Sequence, residues 1–139
     1  ALLSLPWFRL YLPLPEGRRT YVHPETPVQA VRSLRELPLP RRVFHPQAYG
    51  SYMLWASPEV PVFADTRIEL YPLEQWGDYI AVYGARYDWE AILARYGVDT
   101  LLLERETQGA LIEAATAAPG WERAYEDEQA VIFTRREAP

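Results

Sequence analysis

The chain has 139 residues, 49% of them hydrophobic and 24% charged, and carries a formal net charge of −5. That length implies one domain with a sizeable core, and an aromatic content of 14% argues against intrinsic disorder. The absence of Cys excludes a disulfide framework, thiolate metal sites and cysteine catalysis; the absence of Lys excludes Schiff-base and Walker-lysine mechanisms.

The charge is unevenly spread. Residues 1–64 carry seven Arg against four acids, whereas residues 65–139 carry seven Arg against fifteen acids. An acidic second half disfavours nucleic-acid phosphates, and the weakly basic first half is compatible with an anionic lipid surface. The lack of Asn and Cys fits a thermophile, while the exclusive use of Arg for positive charge also fits a genomic base bias.

The opening ALLSLPWFRLYLPLP is apolar, but Pro6, Pro13 and Pro15 forbid a long helix there. No run of 18 apolar residues is present to span a bilayer, and the start lacks the layout of a signal peptide. Two readings stay open: an extended arm lying on the domain, or a segment descending from a membrane helix outside this sequence. A first residue of Ala rather than Met is expected of a fragment or a processed product. Residues 1–25 are therefore expected to be an arm and linker, and residues 26–139 a single α/β domain.

From there the pattern alternates. Thr26-Pro27 opens a helix over 27–37, with Thr26 as N-cap, Gln29 placed for a capping box, and apolar Val28, Val31, Leu34 and Leu37 on one face. Arg42–His45 is a short strand, Gln47–Ala56 a helix, and Val60–Ala64 a brief buried parallel strand with Pro61 at its beginning. Pro72 starts a helix to Tyr83, and Asp88 caps another over Trp89–Tyr96, stopped by Gly97. Val98–Glu104 is the clearest strand, and Gln108–Ala117 is the last helix. A hairpin of Glu122–Tyr125 and Ala130–Arg135, turning at Asp127-Glu128, ends the domain. The order predicts a three-layer α/β/α sandwich around a mixed sheet of about five strands, with a parallel core and an antiparallel C-terminal hairpin.

Ligands of open parallel sheets bind beyond the carboxyl ends of strands. Three such ends are polar here: His45, Asp65-Thr66-Arg67 and Glu104-Arg105-Glu106. If the strands are neighbours, His45, Asp65 and Arg67 converge with Tyr49 and Tyr52, and a carboxylate, a guanidinium and aromatic faces suit a sugar or a phosphate. The plainer reading is that Asp65 and Arg67 pair with each other or with backbone and hold a loop. The two histidines, His23 and His45, each precede Pro and lack metal-site spacing, so structural or solvent-exposed roles are expected and no metal or cofactor. Nucleotide and serine-hydrolase motifs are absent. Among the tryptophans, Trp55 beside polar turn residues is the candidate for a partly exposed role.

Several segments together resemble one family. VFHPQAYGSYMLW is similar to a strand followed by a Gly-Gly-Tyr-Leu-x-Trp helix start, and PVFADTRIELY to a Pro-Val-Phe-x-Asp-Gly-Arg segment followed by an aromatic. WEAILARYGVDTLLL and GWERAYEDEQAVIFTRR resemble the pattern's last two segments, so that the likeness covers roughly residues 27–136. The pattern resembles the C-terminal extracytoplasmic domain of polytopic bacterial membrane proteins related to lipid-linked-sugar glycosyltransferases, such as the protein mannosyltransferase-like group. Ser51 departs from its second Gly and Thr66 from the Gly of Asp-Gly-Arg, where Thr disfavours a positive φ. The resemblance implies a non-catalytic accessory domain on the extracytoplasmic face of the plasma membrane. Its partners would be the membrane portion of the same polypeptide and a lipid-linked sugar or acceptor, with the catalytic carboxylates elsewhere. The alternative is a carbohydrate- or phosphosugar-binding module using Asp65, Arg67, Tyr52, Trp55 and His45.

Overall fold

A computed structural model describes residues 23, 25–38 and 42–136. The expected arm and linker therefore lie outside the described residues, His23 and Glu25 excepted. The elements run α1 (Val28–Glu36), β1 (Val43–Phe44), α2 (Gln47–Ala56), a single 3-10 turn (Ile68–Leu70), α3 (Leu73–Tyr83), α4 (Trp89–Arg95), β2 (Thr100–Glu104), α5 (Gly109–Ala117), β3 (Trp121–Glu126) and β4 (Ala130–Arg135). Every expected helix is present to within a residue or so at each end.

The ends show why the chain stops and starts where it does. Gly97 has φ +64° and follows the last turn of α4, while Gly97 N–H donates to Ala94 O and Val98 N–H to Leu93 O. These are the two bonds of a Schellman ending, which only a residue at ease with positive φ accommodates. Two expected caps take another form. The first helix begins at Val28, one residue late, behind a backbone turn made by Thr26 N–H to His23 O, and Asp88 stands at the cap of α4 without a side-chain bond.

Four strands form one mixed sheet in the order β1-β2-β4-β3. β1 and β2 are parallel, with Val43 opposite Thr100, whereas β4 runs antiparallel to both β2 and β3. The fifth strand expected at Val60–Ala64 is reduced to one parallel bridge, Val43 to Val62. The reason lies in where its backbone groups go. Pro61 has no N–H to offer, Phe63 N–H donates to His45 Nε2 at 3.0 Å, and Phe63 O accepts from Gln75 Nε2 at 2.7 Å. Asp65 O accepts from Gln47 Nε2 at 3.1 Å. Side chains have taken the bonds that a ladder would use. The parallel core is correspondingly small, a single parallel pair plus that bridge.

Successive β2 residues feed two separate clusters, as a pleated strand buried on both sides must. Leu101 and Leu103 join Phe44, Phe63, Val82, Leu93, Leu111 and Phe133, while Leu102 joins Leu34, Val43, Tyr49, Met53 and Ile132.

Helix α2 comes unusually close to the segment after Val60. A Cβ added at Gly50 would lie 2.3 Å from Ala64 O and 3.1 Å from Asp65 Cα. Gly50→Ala must therefore push main chain apart, and we expect a loss of about 3 kcal/mol in urea unfolding. Gly77, inside α3, has nothing within 4 Å of such a Cβ. Gly77→Ala should instead gain about 0.5–1 kcal/mol, because only helix propensity changes.

Candidate functional site

His45 follows β1 and is fully buried. Its two ring nitrogens face different partners: Nε2 accepts the Phe63 N–H, and Nδ1 lies 2.9 Å from Pro46 O. Those contacts require a neutral ring protonated on Nδ1. Burial drives its pKa down to about 4, opposed by the Pro46 carbonyl and the charge of Asp65. His45 thus fastens the end of β1 to the Val60–Ala64 segment. It presents no face to solvent.

Asp65 is 1% exposed and closed on its own loop. Its Oδ1 accepts Arg67 N–H at 2.7 Å and Arg67 Nε at 3.1 Å, and its Oδ2 accepts Arg67 Nη2 at 2.5 Å. The Arg67 side chain holds the Asp65 carboxyl well below the usual range, helped by the Arg67 amide and the Tyr71 hydroxyl, against the burial that opposes it. Asp65 and Arg67 form a closed ion pair that fixes residues 65–71. Thr66, between them, meets Ser51 Oγ at 3.0 Å through its hydroxyl. The two positions that depart from the resembled pattern are hydrogen-bonded to each other.

Tyr52 and Trp55 sit elsewhere. Their rings are 5.8 Å apart near the end of α2, and Trp55 is 77% exposed. They line a cleft of about 340 Å³ against α1, with Val28, Val31 and Ala56 as its apolar lining and Arg32 and Arg35 as its polar one. Arg35 is paired with Glu59 at 3.0 Å. These two arginines escaped the sequence reading, which followed the Val28-Val31-Leu34 stripe to the core. Their signal was present, since positions 32 and 35 flank that stripe on the same helix.

The structure therefore separates the expected site into three parts. His45 is interior, Asp65 and Arg67 are joined to one another, and Tyr52 and Trp55 share a basic cleft. Neither Asp65 nor Arg67 lines that cleft, nor the other one of about 340 Å³, which lies between α2 and α3. Among the described residues no group of three or more His, Asp or Glu is placed to hold a metal ion. No described helix is long and apolar enough to cross a membrane.

No protein family, no curated protein and no solved structure matches this chain.

Two buried groups, His45 and Asp65, give the fold an acid limit with a defined sign. The unfolded chain protonates His45 near pH 6.5 and the folded chain near 4, so stability should fall as pH drops through that window and then level off. The loss amounts to about 3 kcal/mol by pH 4. Asp65 acts lower down: its folded carboxyl stays ionised, so the stability it contributes is complete above pH 3.8 and drains away beneath it. Urea midpoints measured from pH 8 to 3 should show both limbs, and a midpoint unchanged between pH 6.5 and 4 would contradict the burial of His45.

Proposed function

We propose that this chain is a non-catalytic accessory domain on the extracytoplasmic face of a polytopic bacterial membrane protein related to lipid-linked-sugar glycosyltransferases. One observation carries the reading beyond the resemblance. Large apolar side chains are exposed on two neighbouring segments: Leu54 and Trp55 on α2, then Ile68, Leu70 and Leu73 along the 3-10 turn and the start of α3. The Ser51–Thr66 bond sets these segments side by side. Single exposed apolar residues are ordinary, but a run of them such as this suits an interface. Its occupant in this reading is the membrane portion of the same polypeptide. The closed Asp65–Arg67 pair supports a scaffolding role for the loop that presents Ile68 and Leu70. The two core clusters support a layered arrangement, with α1 and α2 on one face of the sheet and α3, α4 and α5 on the other.

A second reading, a carbohydrate- or phosphosugar-binding module, is favoured by the α1–α2 cleft. An exposed indole, a tyrosine ring and the Arg32 guanidinium combine stacking with anion recognition, beside Arg35, whose Nε is bonded to Glu59.

These 139 residues hold no cysteine, so a spin label placed in them is unambiguous once any cysteine elsewhere in the polypeptide has been replaced. Leu73, 89% exposed, is the position to label, as Leu73→Cys in the natural full-length polypeptide. The label should be immobilised and shielded from aqueous relaxation agents there, and mobile in the isolated domain. Equal mobility in both would refute docking through this band. For the second reading, glucose 1-phosphate should shift the amide resonances of Tyr52 and Trp55, and Arg32→Gln should weaken its binding about tenfold. Shifts unchanged by that substitution would exclude the cleft.

A further inference from the structure

β1 and β2 are parallel neighbours whose chains part company at their carboxyl ends. β1 leads into α2, whose Tyr49 and Met53 lie in the cluster with Leu102, whereas β2 leads into α5, whose Leu111 and Ala115 lie in the cluster with Leu101 and Leu103. Adjacent parallel strands whose connections diverge in this way leave a crevice between them, the place where open α/β sheets take their ligands.

A cleft of about 340 Å³ occupies this position. One wall is the first turn of α2, with Pro46 and Ala48; the opposite wall is α3, with Tyr79, Ile80 and Tyr83; and Glu104 closes the strand end. The walls are apolar and aromatic, and Ile80 is exposed although a core lies beneath it. The Tyr79 hydroxyl already accepts Gln47 N–H at 2.9 Å, which leaves its own proton free to donate.

Glu104 is firmly held. Its N–H donates to Gln108 Oε1 at 3.0 Å, and its carbonyl accepts Gln108 N–H at 3.0 Å. The carboxylate accepts Thr107 Oγ1–H at 2.5 Å and bonds the Tyr49 hydroxyl. None of these partners is a cation. The nearest base along the chain, Arg105, is directed away to Glu126 at 2.6 Å and to Asp127 O at 3.1 Å. On the far side of Glu104, a smaller recess is lined by Glu25, Glu106 and Glu128. The local field is negative and repels phosphate or carboxylate.

We infer that this crevice binds an organic ammonium with an apolar body, the cationic group at Glu104 and the body between the Tyr79–Tyr83 wall and Pro46. Aromatic faces attract a cation as well as cover its hydrocarbon, and a half-buried carboxylate strengthens the charge-assisted bond. The site is separate from the apolar band and from the arginine-lined cleft, so it stands or falls independently of both.

The test uses three probes that share one phenethyl body, phenethylamine, 2-phenylethanol and 3-phenylpropionate, titrated against the domain by two-dimensional NMR at pH 7. Phenethylamine should give saturable shifts confined to residues 46–48, 79–83 and 104, with the alcohol weaker and the anion without effect. Glu104→Gln keeps the shape and can still accept Thr107 and Tyr49, and should weaken phenethylamine about tenfold while leaving the alcohol unchanged. Tyr83→Ala should weaken both probes. Equal binding of amine and anion, shifts centred elsewhere, or an unaltered amine affinity in Glu104→Gln would each overturn the inference.

Discussion

The structure depends on the contact between α2 and the main chain of residues 64–65, and that contact exists because residue 50 has no side chain. With Gly50 in place, the helix lies directly on Ala64 O, and the His45 ring edge fills the angle beneath it, 3.0 Å from where a Cβ would be. Three pieces of chain are locked at one point: the end of β1, the second turn of α2 and the segment after Val60. A bulkier residue would separate all three together. Close backbone approach of this kind is among the few demands that only glycine meets.

From that joint the rest of the loop follows. Gln47, at the start of α2, reaches Asp65 O; Gln75, at the start of α3, reaches Phe63 O. Two helices are thereby indexed to the same stretch through side-chain amides rather than through a strand ladder. Phe63 in turn packs edge-on to Phe44 at 5.2 Å and to Tyr96 at 4.9 Å, so the segment also carries core contacts. The buried Asp65 carboxylate is acceptable here because the Arg67 guanidinium and amide and the Tyr71 hydroxyl satisfy it.

Much of this was legible in the residues and some was not. Helices α1, α3 and α4 were readable from their punctuation: Thr26-Pro27 before α1, Pro72 before α3, Gly97 after α4. The LLL core of β2 was equally plain as a continuous apolar run, whereas the alternation expected in the hairpin strand Ala130–Arg135 gives way to burial at its first five positions. Val60–Ala64 misled because hydrophobic, β-branched composition records burial rather than hydrogen-bond partners. Nothing local shows that His45, Gln47 and Gln75 will claim its backbone groups. The same limit applies to the expected site. The Asp65-x-Arg67 spacing allowed either a ligand pair or a closed pair, and only the geometry, with Oδ1 and Oδ2 both facing one guanidinium, decides that they face each other.

The charge asymmetry of the sequence takes on a spatial meaning once the sheet is formed. Arginines of the basic first half, Arg32 and Arg35, border the α1–α2 cleft, while Glu104, Glu106 and Glu128 of the second half gather at the strand ends, joined there by Glu25 of the first. Helix α2 contributes to both, its first turn facing the acidic side and its last turn the basic one. One helix thus contributes to two recesses of opposite sign. Within a Debye length of about 8 Å at physiological salt, each recess is governed by its own nearest charges rather than by the net charge of the chain. The overall value of −5 therefore predicts neither. The field that a charged group meets at this surface is therefore a local property, set by the side of α2 it approaches.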